Sequence, residues 1–323
     1  MIMKLKKILG GAAIASTAAF SALSVFAFHE IFSKNAKLPG MINDKEKSKA
    51  KQKNPQKKED PRVKWMHEQE FTPYQIKNDR GETLCGFFLK ADTDSDKYVL
   101  CSHGYRSRGK GEFRFISKFY HDIGYNIFLV DHIASGDSEG KYISFGYNEH
   151  RDLRLWVDFL LDTFGKDIKI AIHGISMGCA TVMMLAGNYK LPDNVKFIVA
   201  DCGYTNAKEQ FERVLKSANV PPQPLLGSVG LVNKLVQGFS LEEAGPYSSI
   251  KNVTLPVLFV HGKDDGFVPM ELTLKMYDAC ESEKDILLVE KAGHAQSYQK
   301  GTAAYEEKII KFTEKYIGKV TAG

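Results

Sequence analysis

The chain has 323 residues, 43% of them hydrophobic, enough for one large core plus a tail. Its formal charge of +5 is unevenly placed: residues 1–64 carry 14 Lys and Arg against 5 Asp and Glu, whereas residues 65–323 carry 30 against 34. The part able to fold is mildly acidic, which excludes the basic footprint of a nucleic-acid binder, and five scattered cysteines with no C-x-x-C spacing argue against a disulfide framework.

Lys4, Lys6 and Lys7 precede a run of 21 residues, Ile8 to Phe28, that carries no charge. Residues 1–32 therefore read as a signal anchor or signal peptide, with residues 8–32 meeting the membrane. Phe26 and Phe28 are bulky around the small residue Ala27, which favours an uncleaved anchor over a processed, secreted form. The leading lysines keep the N-terminus in the cytoplasm and place the remainder on the extracytoplasmic side of the cell membrane. Residues 33–64 are lysine-rich, contain Pro39, Pro55 and Pro61, and hold almost no large apolar side chains. This composition reads as a disordered linker, whose residues 33–62 offer a contact to an anionic surface.

From Trp65 to the end the elements alternate. Phe71 to Lys77 and Thr83 to Lys90 read as two strands joined through Asp79-Arg80-Gly81. Lys97 to Cys101 and Asn126 to Asp131 are short apolar strands, separated by Phe113, Ile116, Phe119, Tyr120 and Ile123 at helical spacing. Leu153, Trp156, Val157, Leu160, Leu161 and Phe164 mark an amphipathic helix. Strands follow at Lys169 to His173, Lys196 to Asp201, Pro256 to His261 and Asp285 to Glu290, and Tyr305 to Tyr316 makes a closing helix. The pattern is that of an α/β domain over 65–323, a mostly parallel sheet flanked by helices. Residues 204–250 interrupt it and read as a helical cap.

Gly174-Ile175-Ser176-Met177-Gly178 fits G-x-S-x-G and falls between the strand that ends near His173 and a run of small residues at helical spacing. Chance yields such a pentapeptide readily, but the strand-to-helix context is what exposes a serine at the top of a sheet. A serine hydroxyl needs a base to take its proton and a third group to hold that base's tautomer. In the chain order that accompanies this turn, the acid and then the base follow the serine. Asp265 is the candidate acid, because Val268 and Pro269 follow it in a D-x-x-V-P arrangement, with Asp264 as its neighbouring alternative. His294, in a loop of small residues before the closing helix, is the candidate base. The oxyanion of a tetrahedral intermediate needs backbone donors; the N–H groups of Met177 and Tyr105 are nominated, the Tyr105 phenol being as well suited to plain packing. His103, His173 and His261 end strands and read as supporting residues.

With His103-Gly104-Tyr105, the segment Asp131 to Gly140, the serine turn, Asp265 to Pro269 and Gly293-His294 on view, residues 65–318 resemble α/β-hydrolases. They are similar above all to membrane-anchored bacterial hydrolases of the prolyl-oligopeptidase-like branch, the YqkD-type proteins. The family's D-x-R-G-x-G-x-S-x-G is altered here, with His132, Ile133 and Ala134 at departures from it. The resemblance implies the α/β-hydrolase fold and a Ser-Asp-His triad, and the hydrolysis expected of it needs no metal or cofactor. It does not imply a substrate. The expected activity is hydrolysis of an ester of small to medium acyl size through an acyl-enzyme on Ser176. The alternatives are an acylaminoacyl or dipeptidyl-type peptidase, and a non-catalytic binding protein on the same fold.

Overall fold

The computed structural model describes residues 19–36 and 59–320. Eight strands form one sheet in the order β1-β2-β4-β3-β5-β6-β7-β8. β1 (Thr72–Lys77) and β2 (Thr83–Leu89) form the expected hairpin, and β2 also runs antiparallel to β4 (Asn126–Asp131). β3 (Lys97–Ser102), β5 (Lys169–Ile175), β6 (Val195–Asp201), β7 (Val257–Gly262) and β8 (Lys284–Val289) are joined to β4 and to one another in parallel. The central strands are buried on both faces, as a parallel sheet covered by helices must be.

Helices lie on both faces. Residues 19–32 form α1, and α2 spans Pro61–Glu68, starting with the N-cap Asp60, which accepts the Arg62 N–H. Two short helices, α3 (Gly109–Glu112) and α4 (Ser117–Asp122), link β3 to β4. α5 (Glu149–Phe164) buries Leu153, Trp156, Val157, Leu160 and Leu161 along one stripe. α6 (Met177–Asn188) is buried from Met177 to Gly187, as a helix beneath the centre of the sheet must be. Between β6 and β7 the chain forms α7 (Ala207–Ser217) and α8 (Leu225–Gln237), which together make the cap. α9 (Met270–Ala279), α10 (Ser297–Lys300) and α11 (Thr302–Tyr316) complete the fold. α2 and α9 carry no periodic signal strong enough to read from sequence; α2 forms because Met66 is buried under the α4 side of the sheet.

One contact shows how the outer strands are seated. A Cβ on Gly86 of β2 would fall 2.5 Å from the Phe128 ring and 2.9 Å from Trp156, so the missing side chain is what lets these rings close over the sheet. Trp156 and Phe128 stand 5.1 Å apart between centroids, within the 4.5–7 Å range of favourable aromatic pairs.

The N-terminal assignments need correction at their inner ends. Residues 1–18, most of the expected apolar segment, lie outside the described residues, as do residues 37–58 of the lysine-rich stretch. Among the described residues no helix is long and apolar enough to cross a membrane. The end of α1 belongs to the domain: Phe28 is 3% exposed and Phe32 fully buried, both within the main core. The side chains of Phe28 and Phe32, within the expected membrane segment 8–32, are therefore taken up by the domain. Ser33 bridges to Tyr142, Ile143 donates to the Phe32 carbonyl at 2.7 Å, and Lys34 donates to the Lys141 carbonyl at 3.0 Å. The stretch expected as linker over 33–64 is ordered at both ends by these bonds and by α2.

Trp156 is 1% exposed. Trp156→Ala is expected to lower stability by about 3–5 kcal/mol, read as a shift of the urea midpoint; a loss under about 1 kcal/mol would mean the Phe128–Trp156 contact is not part of the core.

Candidate active site

Ser176 sits between β5 and α6 with φ 58° and ψ −117°, backbone that a residue with a side chain adopts only where its surroundings impose it. The surroundings are visible. Its N–H donates to the Asp201 carbonyl at the end of β6 at 2.8 Å. A Cβ on Gly174 would fall 2.3 Å from the Gly178 carbonyl oxygen, and one on Gly178 would fall 1.9 Å from the Ser102 carbonyl oxygen. Only glycine fits at either position, and the turn raises the serine at the carboxyl ends of the strands, where open α/β sheets hold ligands.

The three residues nominated from sequence meet there. Ser176 Oγ is 2.9 Å from His294 Nε2, and His294 Nδ1 is 2.7 Å from Asp265 Oδ2. Ser176 and Asp265 are buried at 7% and 6% exposure. Asp265 Oδ1 accepts the N–H groups of Phe267 and Val268, each at 2.9 Å. Burial alone would raise its pKa, but hydrogen bonds from His261, His294 and the Val268 N–H hold the carboxyl well below the ordinary carboxylate range. Asp265 is thus a fixed anion facing His294. Asp264 is exposed, and its N–H donates to the Ala292 carbonyl. The Phe267 ring meets the His294 ring edge-on at 4.9 Å.

The loop after β3 closes the other side. A Cβ on Gly104 would fall 3.3 Å from the Ser176 Cβ, so this backbone passes against the serine. Met177 is the first residue of α6, where N–H groups have no partner within the helix. The Tyr105 phenol is committed elsewhere: Oη donates to the Ile31 carbonyl at 2.6 Å, and the ring stacks on Phe145 at 4.9 Å. A phenol donated into the site is therefore excluded, and the backbone N–H remains.

His261 supports the loop that carries Asp265. Its Nε2 lies 2.8 Å from the Val268 carbonyl and 3.3 Å from Asp265 Oδ2, and its Nδ1 lies 2.7 Å from Thr273 Oγ1. It thus ties the end of β7 to the loop that carries Asp265. His103 Nε2 accepts the His132 N–H at 3.0 Å, and His132 Nε2 pairs with Ser102 Oγ at 2.8 Å. Burial lowers the pKa of both rings. The altered segment Asp131 to Gly140 is a brace: Asp131 accepts the N–H groups of Gly109 and Asp137. Below the serine, His173 bonds to Tyr120 and Tyr305, and Tyr305 Oη donates to Asp201 Oδ2.

Among the described residues one trio, Cys202, Asp265 and His294, brings three metal-ligand atoms within 4.8 Å of one another. Asp265 and His294 are bonded to each other, and burial raises the Cys202 thiol well above its ordinary pKa, leaving it a neutral and weak donor. The donor set does not fit a metal centre.

Two outcomes follow from these contacts. Gly178→Ala is expected to prevent formation of the serine turn, read as loss of soluble folded protein or of all activity, since its methyl would overlap the Ser102 carbonyl. Burial raises Asp201 to about 6, against the opposing bonds from Tyr305 and Ser297. The folded chain therefore holds this proton at pH values where the unfolded chain has released it, and Asp201 stabilises the fold less as pH rises through about 6. Asp201→Asn should remove that dependence, so the melting temperature of the variant relative to the parent should be higher at pH 8 than at pH 5; the opposite slope would contradict the assignment.

Residues 112–320 match the prolyl oligopeptidase family. The chain is 30% identical over 250 residues to the uncharacterized protein YqkD of Bacillus subtilis (strain 168), covering 77% of this chain and 81% of that protein. Its fold is similar to that of a Pyrococcus furiosus esterase (TM-score 0.64, 22% identity, 79% of this chain and 94% of the other). It is also similar to that of a Pyrococcus horikoshii acylaminoacyl peptidase (TM-score 0.57, 18% identity, 82% of this chain and 45% of the other). With the strand order, the serine turn and these matches in agreement, the chain belongs to the prolyl oligopeptidase family and is a serine hydrolase of the α/β-hydrolase fold.

Proposed function

We propose that the protein hydrolyses an ester of small to medium acyl size through an acyl-enzyme on Ser176. The observation that carries this reading is the unbroken chain Ser176 Oγ, His294 Nε2 and Nδ1, Asp265 Oδ2, with contacts of 2.9 and 2.7 Å, at a serine held in strained backbone. His294 takes the hydroxyl proton as Ser176 Oγ bonds to the carbonyl carbon. The depressed Asp265 carboxylate keeps the Nδ1 proton of His294 in place and stabilises the imidazolium that forms. The N–H groups of Met177 and Tyr105 face the oxyanion. Collapse of the tetrahedral species breaks the ester C–O bond, and His294 returns its proton to the departing alcohol. Water, activated by the same histidine, then hydrolyses the acyl-enzyme and regenerates Ser176.

One aromatic side chain beside the triad supports an apolar acyl group: Phe267 flanks His294 at 4.9 Å. The cap is tied over this side by Gln210 Nε2, which donates to the Phe267 carbonyl at 2.7 Å, and by Tyr204 Oη, which donates to the Phe145 carbonyl at 3.0 Å. The family match gives a second reading, a peptidase of the acylaminoacyl or dipeptidyl type, since the same acyl-enzyme serves an amide. The apolar run from Ile8 and the lysines before it support a cell-membrane location with the hydrolase domain on the extracytoplasmic face.

Labelling with a fluorophosphonate is the direct test: the parent should label and Ser176→Ala should not, while melting at the parent temperature. Absence of label on folded parent protein would favour a binding protein. Asp265→Asn should lower kcat by about 10⁴-fold through the wrong histidine tautomer, with Asp264→Asn close to the parent; the reverse order would make Asp264 the acid. A panel of p-nitrophenyl esters against N-acetylated and free aminoacyl anilides decides between ester and peptide bonds.

A further inference from the structure

The two helices that meet through Ser24 and Ser228 share an apolar surface that the site does not use. Ser24 Oγ donates to Ser228 Oγ at 2.8 Å, joining α1 to α8. On α8, Leu231 and Leu235 continue the side of the helix that carries Ser228, at 60% and 78% exposure, with Val236 beside them at 50%. On α1, Leu23, Val25 and Phe26 flank Ser24 at 51%, 55% and 54% exposure. Single exposed apolar residues need no explanation, but six on two adjoining helices form a patch of the kind that meets a partner.

We propose that α1 and α8 together form a surface that docks on a lipid bilayer. The chain that enters this patch decides the occupant. The 20 residues from Ile8 to Ala27 carry no charge, and the last nine of them, 19–27, belong to the part of α1 that carries the patch. About 20 uncharged residues is the length of sequence that matches a bilayer's hydrocarbon core. Lys4, Lys6 and Lys7 precede them, and Lys234 is the one charged residue of α8, so the patch carries no acidic group against anionic headgroups. From Phe28 onward the same segment turns into the core. The boundary between lipid and protein thus falls inside α1, and the cap helix lies on the lipid side of it.

The test uses the full chain. The native cysteines are buried, so Leu235→Cys can carry an environment-sensitive fluorophore, with Glu314→Cys on the far helix α11 as the reference. Vesicles of phosphatidylcholine and phosphatidylglycerol should blue-shift and brighten the Leu235 probe several-fold and expose it to quenching by spin-labelled lipid, leaving the reference unchanged. An unchanged Leu235 probe on vesicle-bound protein would overturn the proposal, as would disulfide crosslinking between copies at Leu235, which would make the patch a dimer contact.

The other end of α1 is bonded to the loop after β3. The Ile31 carbonyl accepts from Tyr105, and the Glu30 carbonyl accepts from Arg106 Nη2. Phe32 is buried against Phe145 at 5.3 Å and Phe211 at 6.1 Å. We infer that Glu30 to Phe32 are positioning residues for the oxyanion loop, so the active enzyme retains its N-terminal segment. This rests on the hydrolase reading. Tyr105→Phe keeps the ring and loses the bond to Ile31; it should lower kcat about tenfold, less than the 10²–10³ of losing a donor outright, with KM and melting temperature unchanged. Unaltered kcat would overturn the inference, whereas parent protein that fails to label with fluorophosphonate would instead overturn the hydrolase reading.

Discussion

Everything in the site hangs on one crowded turn. Gly178 passes so close to the Ser102 carbonyl that α6 is pressed against the end of β3, and Gly174 leaves room for the Gly178 carbonyl in turn. This pressure, together with the bond from the Ser176 N–H to the Asp201 carbonyl, holds the serine at φ 58°. Such backbone costs about 1–3 kcal/mol and persists only where the rest of the structure over-determines it. Here a parallel sheet buried on both faces and a wholly buried helix do so. The same arrangement that strains the serine also leaves the Met177 N–H without a helical partner and beside the hydroxyl. The strained serine and the N–H that follows it, free of a helical partner, are two consequences of one packing contact.

The second requirement is electrostatic. A buried carboxylate is costly unless donors surround it. Asp265 has them: two backbone N–H groups on one oxygen, His294 and His261 on the other. It can therefore remain charged without solvent and hold the His294 ring through Nδ1. Asp201, a short distance away at the end of β6, has hydroxyl partners only and is pushed the opposite way by burial. Two buried aspartates in one fold thus have their pKa values pushed in opposite directions by what donates to them, and the one with imidazole and amide donors is the one bonded to His294.

The N-terminal segment joins the two halves of the functional argument. Its uncharged sequence suits lipid, yet its last turn packs against the cap, the loop after β3 and the segment around Phe145. An apolar side chain is equally satisfied by hydrocarbon and by a protein core. Composition therefore does not show that the end of an uncharged segment packs into a protein core. Only the burial of Phe28 and Phe32, four residues apart on one side of α1, shows it here.

Much of this protein was legible in the residues alone. Strand period, helix period and the order Ser176, Asp265, His294 carry the sheet, the flanking helices and the candidate site, because alternation and chain order are local properties. The choice of Asp265 over Asp264 also came from spacing, through Val268 and Pro269. What sequence did not reveal are contacts between segments far apart in the chain: His261 bracing the acid loop, the Tyr105 phenol turned to Ile31, α2 and the end of α1 packed into the domain. Each is settled by burial and hydrogen-bond satisfaction, which depend on what else arrives at the same place. The sequence by itself determined the fold class and the chemistry its residues can perform; the tertiary structure decided which groups are charged, which are donors into the site, and where the N-terminal segment enters the domain.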